Sequence, residues 1–122
     1  MDLSLERPGD HHYIRSVSPA GIRILDETHT GPLIVSASTL ISDWAVNSAN
    51  ELDEAALMPV FDLQPEVVLL GTGDKQIFPP PELMMCFHSR GIGIEVMNTP
   101  AACRTFNVLV SELRNVVAAV LQ

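Results

Sequence analysis

His12-Tyr13-Ile14-Arg15-Ser16-Val17 alternates loosely between polar and apolar positions, and Ile22-Arg23-Ile24 resumes the alternation after the turn cluster Ser18-Pro19-Ala20-Gly21. A period of two on either side of a turn predicts an antiparallel hairpin. Thr30-Gly31-Pro32 then breaks the chain before Leu33-Ile34-Val35, a third short strand. From Ser36 to Asn50 hydroxyls and small residues dominate, with Leu40, Ile41 and Trp44 spaced to touch a core from one side. Asp53-Glu54 opens a short helix carrying Leu57, Val60 and Phe61 on one face, and Pro59 limits its regularity.

The second half is patterned more sharply. Val67-Val68-Leu69-Leu70 is a continuous apolar run of the kind buried on both faces of a parallel sheet. Gly71-Thr72-Gly73-Asp74 ends it. Pro79-Pro80-Pro81-Glu82 predicts a helix start, because proline suits the first turn and glutamate favours its positive end. Leu83, Phe87 and Arg90 follow, with Gly91 as the C-terminal stop. Ile92-Gly93-Ile94-Glu95-Val96-Met97 reads as a strand. Thr99-Pro100 starts another helix, with Thr99 as cap and Pro100 in the first helical position. Ala102, Phe106, Leu109, Val110 and Leu113 keep helical spacing along it. After Arg114 the β-branched Val116, Val117 and Val120 favour a buried strand that closes the sheet.

Strands first, then β-α-β-α-β, require crossover connections and hence a parallel or mixed sheet with helices packed on it. The expected fold is an α/β three-layer arrangement around a mixed sheet, with an N-terminal hairpin. At 122 residues, 47% of them apolar, the chain is expected to form a single domain over residues 1–122.

The formal net charge is −8, and its placement is uneven. Met1 to Glu66 holds eleven acids against three arginines, whereas Val67 to Gln122 holds four acids and four bases. An acidic field repels phosphate backbones, so nucleic acid and anionic membrane are poor partners. Met1 to Pro8 reads as neither a secretory signal nor an arginine-rich transit peptide. The longest apolar runs are too short to span a bilayer. With two cysteines, Cys86 and Cys103, no disulfide scaffold is indicated. On these features the chain is expected in the cytoplasm, with reduced thiols and no membrane insertion.

Val67-Val68-Leu69-Leu70-Gly71-Thr72-Gly73, then Gly93-Ile94-Glu95-Val96-Met97-Asn98-Thr99-Pro100-Ala101-Ala102, then Thr105-Phe106-Asn107, Leu109, Glu112, Arg114 and Val116-Val117-Ala118-Ala119 together resemble one family. It is that of the mitochondrial respiratory complex I assembly factor three and the adipogenesis-associated Mth-type domain proteins, whose bacterial members carry an unknown-function label. The resemblance covers nearly the whole chain and is specific in its second half. It implies a three-layer α/β domain with a strand after Arg114. It also implies a non-catalytic role in building complex I through a protein partner. No established catalytic residues come with it.

The residues themselves offer one candidate site. Gly71-Thr72-Gly73-Asp74 and Asn98-Thr99-Pro100 both follow the carboxyl end of a strand, where open α/β sheets bind ligands. A helix starting at Thr99 would turn the free N–H groups of its first turn, Ala101 included, toward that crevice. A carboxylate, a phosphate or a buried side chain could occupy that crevice, with Asn107 one turn beyond Cys103. The loop lacks the lysine-hydroxyl pair of a phosphate loop and the G-x-G-x-x-G fingerprint. The plainer alternative is that Thr99 only caps its helix and the glycines only turn the chain. Cys103, near the same helix start, is a candidate reactive thiol, but its nearest potential base, His88, belongs to another helix. Asp10-His11-His12 and His29 lack a second ligand pair at zinc spacing, so no metal is expected, and no cofactor. Arg114 is expected to pair with Glu112 or Glu95 or to anchor the last turn, a structural ion pair being favoured. The expected role is a non-enzymatic protein-interaction or assembly-factor-like module, with a small-ligand binder or minor enzyme as the alternative. Oligomeric state is left open.

Overall fold

The computed structural model describes residues 11–122. The N-terminal stretch Met1 to Pro8 and Asp10, weighed above as leader and metal ligand, fall outside them. In chain order the elements are β1 (Ile14–Ser18), β2 (Gly21–Ile24), β3 (Glu27–His29), β4 (Leu33–Val35), β5 (Leu40–Ile41), α1 (Glu54–Phe61), β6 (Val67–Thr72), α2 (Pro81–His88), β7 (Gly93–Met97), α3 (Thr99–Ser111) and β8 (Val116–Leu121).

Five strands form the central sheet in the order β5-β4-β8-β6-β7, and β1-β2-β3 form a separate antiparallel sheet. β6 runs parallel to both β7 and β8, while β4 is antiparallel to β8, so the central sheet is mixed, as expected. The valine-rich tail is a strand buried along all six residues. It lies between β4 and β6 rather than closing an edge. Strand alternation sends Val117, Ala119 and Leu121 to one face, with Leu57, Val60 and Phe61 of α1 and Leu83 and Phe87 of α2. Val116, Ala118 and Val120 face the other way, against Ala102, Phe106 and Val110 of α3 and Ile14, Ile22 and Ile24 of the small sheet. A strand buried on both faces has no polar position to offer, which explains its uninterrupted apolar run.

Local signals set most boundaries. Asp53 Oδ1 accepts from Ala56 N–H at 2.7 Å and starts α1, which continues through Pro59. Pro81 occupies the first turn of α2, and Gly91 adopts φ +69° just beyond it. Three positions depart from expectation. Glu27-Thr28-His29 is a strand with no buried residue, so hydrophobic alternation could not reveal it. Asn98, not Thr99, caps α3: its Oδ1 accepts from Ala101 N–H at 2.8 Å. Leu113 lies past the end of α3 at φ +63° and is 78% exposed, so it joins no helical face.

Candidate functional site

The carboxyl ends of β6 and β8 meet the start of α3 at Thr99. Thr99 N–H donates to Gly73 O at 2.8 Å. Its hydroxyl accepts from Gly73 N–H at 2.9 Å and donates to Leu121 O at 2.6 Å. One buried threonine therefore joins the end of β6, the end of β8 and the first turn of α3. Thr72, also buried, uses its hydroxyl to accept from Ile77 N–H at 3.0 Å and to donate to Lys75 O at 2.5 Å, closing the following loop on itself.

The two loops singled out in the sequence do flank one hollow, of about 460 Å³. Gly73, Asp74, Thr99 and Pro100 line one side, and the hairpin turn at Ser18-Pro19, with Thr30 and Gln122, lines the other. Gly71 and Thr72 lie buried behind it. The N–H groups at the head of α3 are already engaged: Thr99 with Gly73 O, Ala101 with Asn98 Oδ1, and Ala102 with Asn98 O. Pro100 has none to offer. Among the described residues, the one formally charged side chain lining the hollow is Asp74.

Asn107 lies elsewhere. Its Oδ1 accepts from Ile14 N–H at 2.9 Å and its Nδ2 donates to Ile14 O at 2.7 Å, fastening α3 to β1. It lines a separate, smaller hollow with Tyr13, Arg15, Cys103 and Arg104. Cys103 is 1% exposed, and burial pushes its thiol up to about 12 despite the opposing charge of Arg104. A thiol so held stays protonated at neutral pH. His88 follows Phe87 on α2, which packs on the opposite face of the central sheet.

Arg114 pairs with neither Glu112 nor Glu95. Its Nε and Nη2 donate to the two carboxylate oxygens of Glu66 at 3.1 and 3.3 Å. Asn115 N–H donates to the same carboxylate at 3.0 Å. The Arg114 hydrogen bonds, and after them the Asn115 N–H, hold Glu66 below the usual glutamate value. Among the described residues no group of three or more histidine, cysteine or acidic side chains is gathered for a metal. His12 Nδ1 hydrogen-bonds to Ser36 O at 2.8 Å, a structural engagement.

One surface feature was not singled out from the sequence. Ile77 and Phe78 are 47% and 68% exposed, at the loop between β6 and α2. The signal available was two large apolar residues directly ahead of three prolines.

Residues 14–121 match the family described as a protein of unknown function, DUF498/DUF598. The chain belongs to this family. Among DUF498/DUF598 relatives, a mouse protein named NADH dehydrogenase [ubiquinone] 1 alpha subcomplex assembly factor 3 is 35% identical over 111 residues. That alignment covers 89% of this chain but 60% of the mouse protein, so the chain spans about three-fifths of that relative. The solution structure of a Xanthomonas campestris protein is 35% identical, with a TM-score of 0.83, covering 99% of this chain and 92% of that one. A Bordetella pertussis protein described as a Mth938-like domain gives a TM-score of 0.83 at 24% identity, covering 99% of this chain and 92% of that one, a likeness of fold. No helix among the described residues is long and apolar enough to cross a membrane.

Proposed function

We propose that this domain is a non-enzymatic, assembly-factor-like module that acts by binding a protein partner in the cytoplasm. The observation that carries the reading is the state of the strand-end rim. The polar groups best placed for chemistry there, the Thr72 and Thr99 hydroxyls and the N–H groups opening α3, are engaged in bonds that hold the fold together. The one buried thiol is pushed up to about 12 and faces away from His88. A relative named as an NADH dehydrogenase assembly factor, aligned over 89% of this chain and 60% of its own length, supports subunits of an NADH dehydrogenase complex under construction as the partner class.

The test is a strain in which this chain is deleted. Assembled NADH dehydrogenase, followed on native gels, should fall and return on complementation. Unchanged assembly, together with no NADH dehydrogenase subunit recovered on the tagged chain, would remove the reading.

The 460 Å³ hollow favours a second reading, a small-ligand site, since it falls within the range of about 300–1,000 Å³ typical of such sites. Asp74 and the engaged donors weigh against an anion there. Titration with phosphate and small carboxylates, followed at the Gly73 and Ala101 amides, tests it. No movement at millimolar ligand ends the anionic form of the idea.

A further inference from the structure

We propose that the outer edge of β7 is a docking strand, on which an extended segment of another protein pairs and sets a lysine or arginine beside Glu95. This rests on the interaction reading above and adds to it the surface used and the chemistry of the partner.

The geometry starts from strand register. β7 is the last strand of the central sheet, paired in parallel with β6. Gly93 N–H donates to Glu66 O at 3.0 Å. Alternation then turns the backbone groups of Gly93, Glu95 and Met97 toward β6 and those of Ile94 and Val96 outward. Val96 O accepts from the Gln76 side chain at 2.8 Å. Ile94 N–H, Ile94 C=O and Val96 N–H have no hydrogen-bond partner among the described residues. No proline or bulge interrupts the edge, and its sole charge is Glu95. Such a row of unpaired groups is a template for a further strand.

The Gln76 side chain ties the chain just ahead of Ile77 to the end of that edge. Ile77 and Phe78, 47% and 68% exposed, follow it directly, and we place them as an apolar lip within reach of an added strand. Main-chain bonds would supply the pairing, and the lip a side-chain anchor of the aromatic kind that dominates interfaces.

Charge decides which strand fits. A second copy of this chain makes most use of the edge by pairing antiparallel about Glu95, with Ile94 opposite Val96 of the other copy. That register sets two exposed Glu95 carboxylates directly opposite each other. Neither has a cation within ion-pair distance among the described residues, and each chain carries a net charge of −8. Like charges directly opposite destabilise a strand pair, and opposite charges stabilise it. The edge therefore disfavours its own copy and favours a foreign strand with a base at that position.

The test uses the tagged full chain as wild type, E95K, E95Q and F78A, each first shown to fold by circular dichroism, with capture from native cells. The protein recovered on wild type should be lost about tenfold on E95K, as expected for a like charge set across an interface, and less on E95Q and F78A. Amide exchange on the captured complex should slow at Ile94 and Val96 relative to the free chain. Wild-type recovery on E95K, or protection confined to other surfaces, overturns the β7 edge while leaving the interaction reading intact. A dimer of this chain that protects the same two amides overturns the foreign-strand assignment. Recovery of no protein at all on wild type removes the interaction reading itself, and this surface with it.

Discussion

Asn107 meets both backbone groups of Ile14, accepting from its N–H at 2.9 Å and donating to its carbonyl at 2.7 Å, across 93 positions of sequence. The amide acts as a one-residue strand partner for β1 and ties the small sheet to α3. Ile14 is 4% exposed, so its backbone groups would not easily find water as a substitute. Asn107→Leu should therefore cost about 2–6 kcal/mol, since it leaves two backbone groups unpaired at about 1–3 each. Asn107→Asp should retain only the acceptor half. Urea unfolding gives both values, and a Leu variant as stable as wild type would show the pairing to be idle.

Gly71 is held to hydrogen by Thr99. A Cβ at Gly71 would lie 2.9 Å from Thr99 Oγ1, 2.9 Å from Val120 Cγ1 and 3.1 Å from Thr99 Cα. Backbone on one side and a central strand on the other cannot both move away. Gly71→Ala should destabilise by about 1–3 kcal/mol, the usual cost of overpacking a filled core. Thr99→Val should cost a similar amount, by stranding Gly73 N–H and Leu121 O. Thr99→Ser keeps the hydroxyl and should be milder than Val. If Ser and Val prove equally harmful, the hydroxyl bonds are not what Thr99 contributes.

These contacts mark where sequence reading stops. The Val67 to Leu70 run, the Pro79 to Pro81 helix start and the β-branched tail were legible because local propensity and tertiary structure agree at each. β3 was not, because a strand that buries nothing leaves no hydrophobic trace. The Arg114 partner was not either. Glu66 reaches it because the β6–β8 register sets Val67 beside Val116, and register between strands so far apart in sequence is a property of the assembled sheet. At the rim, the crevice between the two loops could be foreseen from topology, but the engagement of its donors could not. Whether Asn98 or Thr99 caps α3 turns on a single residue, at the margin where helix starts are least certain. That choice settles whether Thr99 is available to bond Gly73 and Leu121.

Leu113 holds a position usually given to glycine. It follows the Glu112 cap at φ +63°, with Leu113 N–H donating to Val110 O at 3.1 Å and Arg114 N–H to Leu109 O at 3.0 Å, the paired bonds of a Schellman ending. A left-handed non-glycine residue costs about 1–2 kcal/mol, and at 78% exposure Leu113 recovers little from burial. Glycine gives back part of that gain through its freer unfolded chain. Leu113→Gly should still stabilise the domain by about 0.5–1 kcal/mol, visible as a thermal midpoint a few degrees higher. A lower midpoint would mean that the leucine makes contacts its exposure does not suggest.

Glu66 links stability to acid pH. Arg114 and Asn115 N–H hold its folded value below the ordinary 4.5. Its contribution is therefore complete above the unfolded glutamate value and lost as pH falls through the folded one. Glu66→Gln should lower stability at neutral pH, and the gap to wild type should close as the solution is acidified through that window. The pair is exposed and screened by salt, so the effect is expected to be modest and smaller at high ionic strength. A gap that stays constant with pH would assign the difference to packing rather than to the charge and the Arg114 and Asn115 bonds it accepts.

Cys103 gives the opposite sign. Burial raises its thiol from 9.0 to about 12, with Arg104 opposing, so the folded state favours the protonated form. That contribution is complete below the unfolded thiol value and is lost as pH rises from 9.0 toward 12. Unfolding midpoints should fall across this alkaline range in wild type and fall less in Cys103→Ala, after allowance for the core volume that the alanine removes. Thiol labelling at mildly alkaline pH separates the two cysteines. Cys86, half-buried on α2, should react first, while Cys103 should wait for unfolding and follow the same denaturant dependence as the global transition. Rapid labelling of Cys103 in the folded chain would contradict its burial and return the start of α3 to consideration as a site of thiol chemistry.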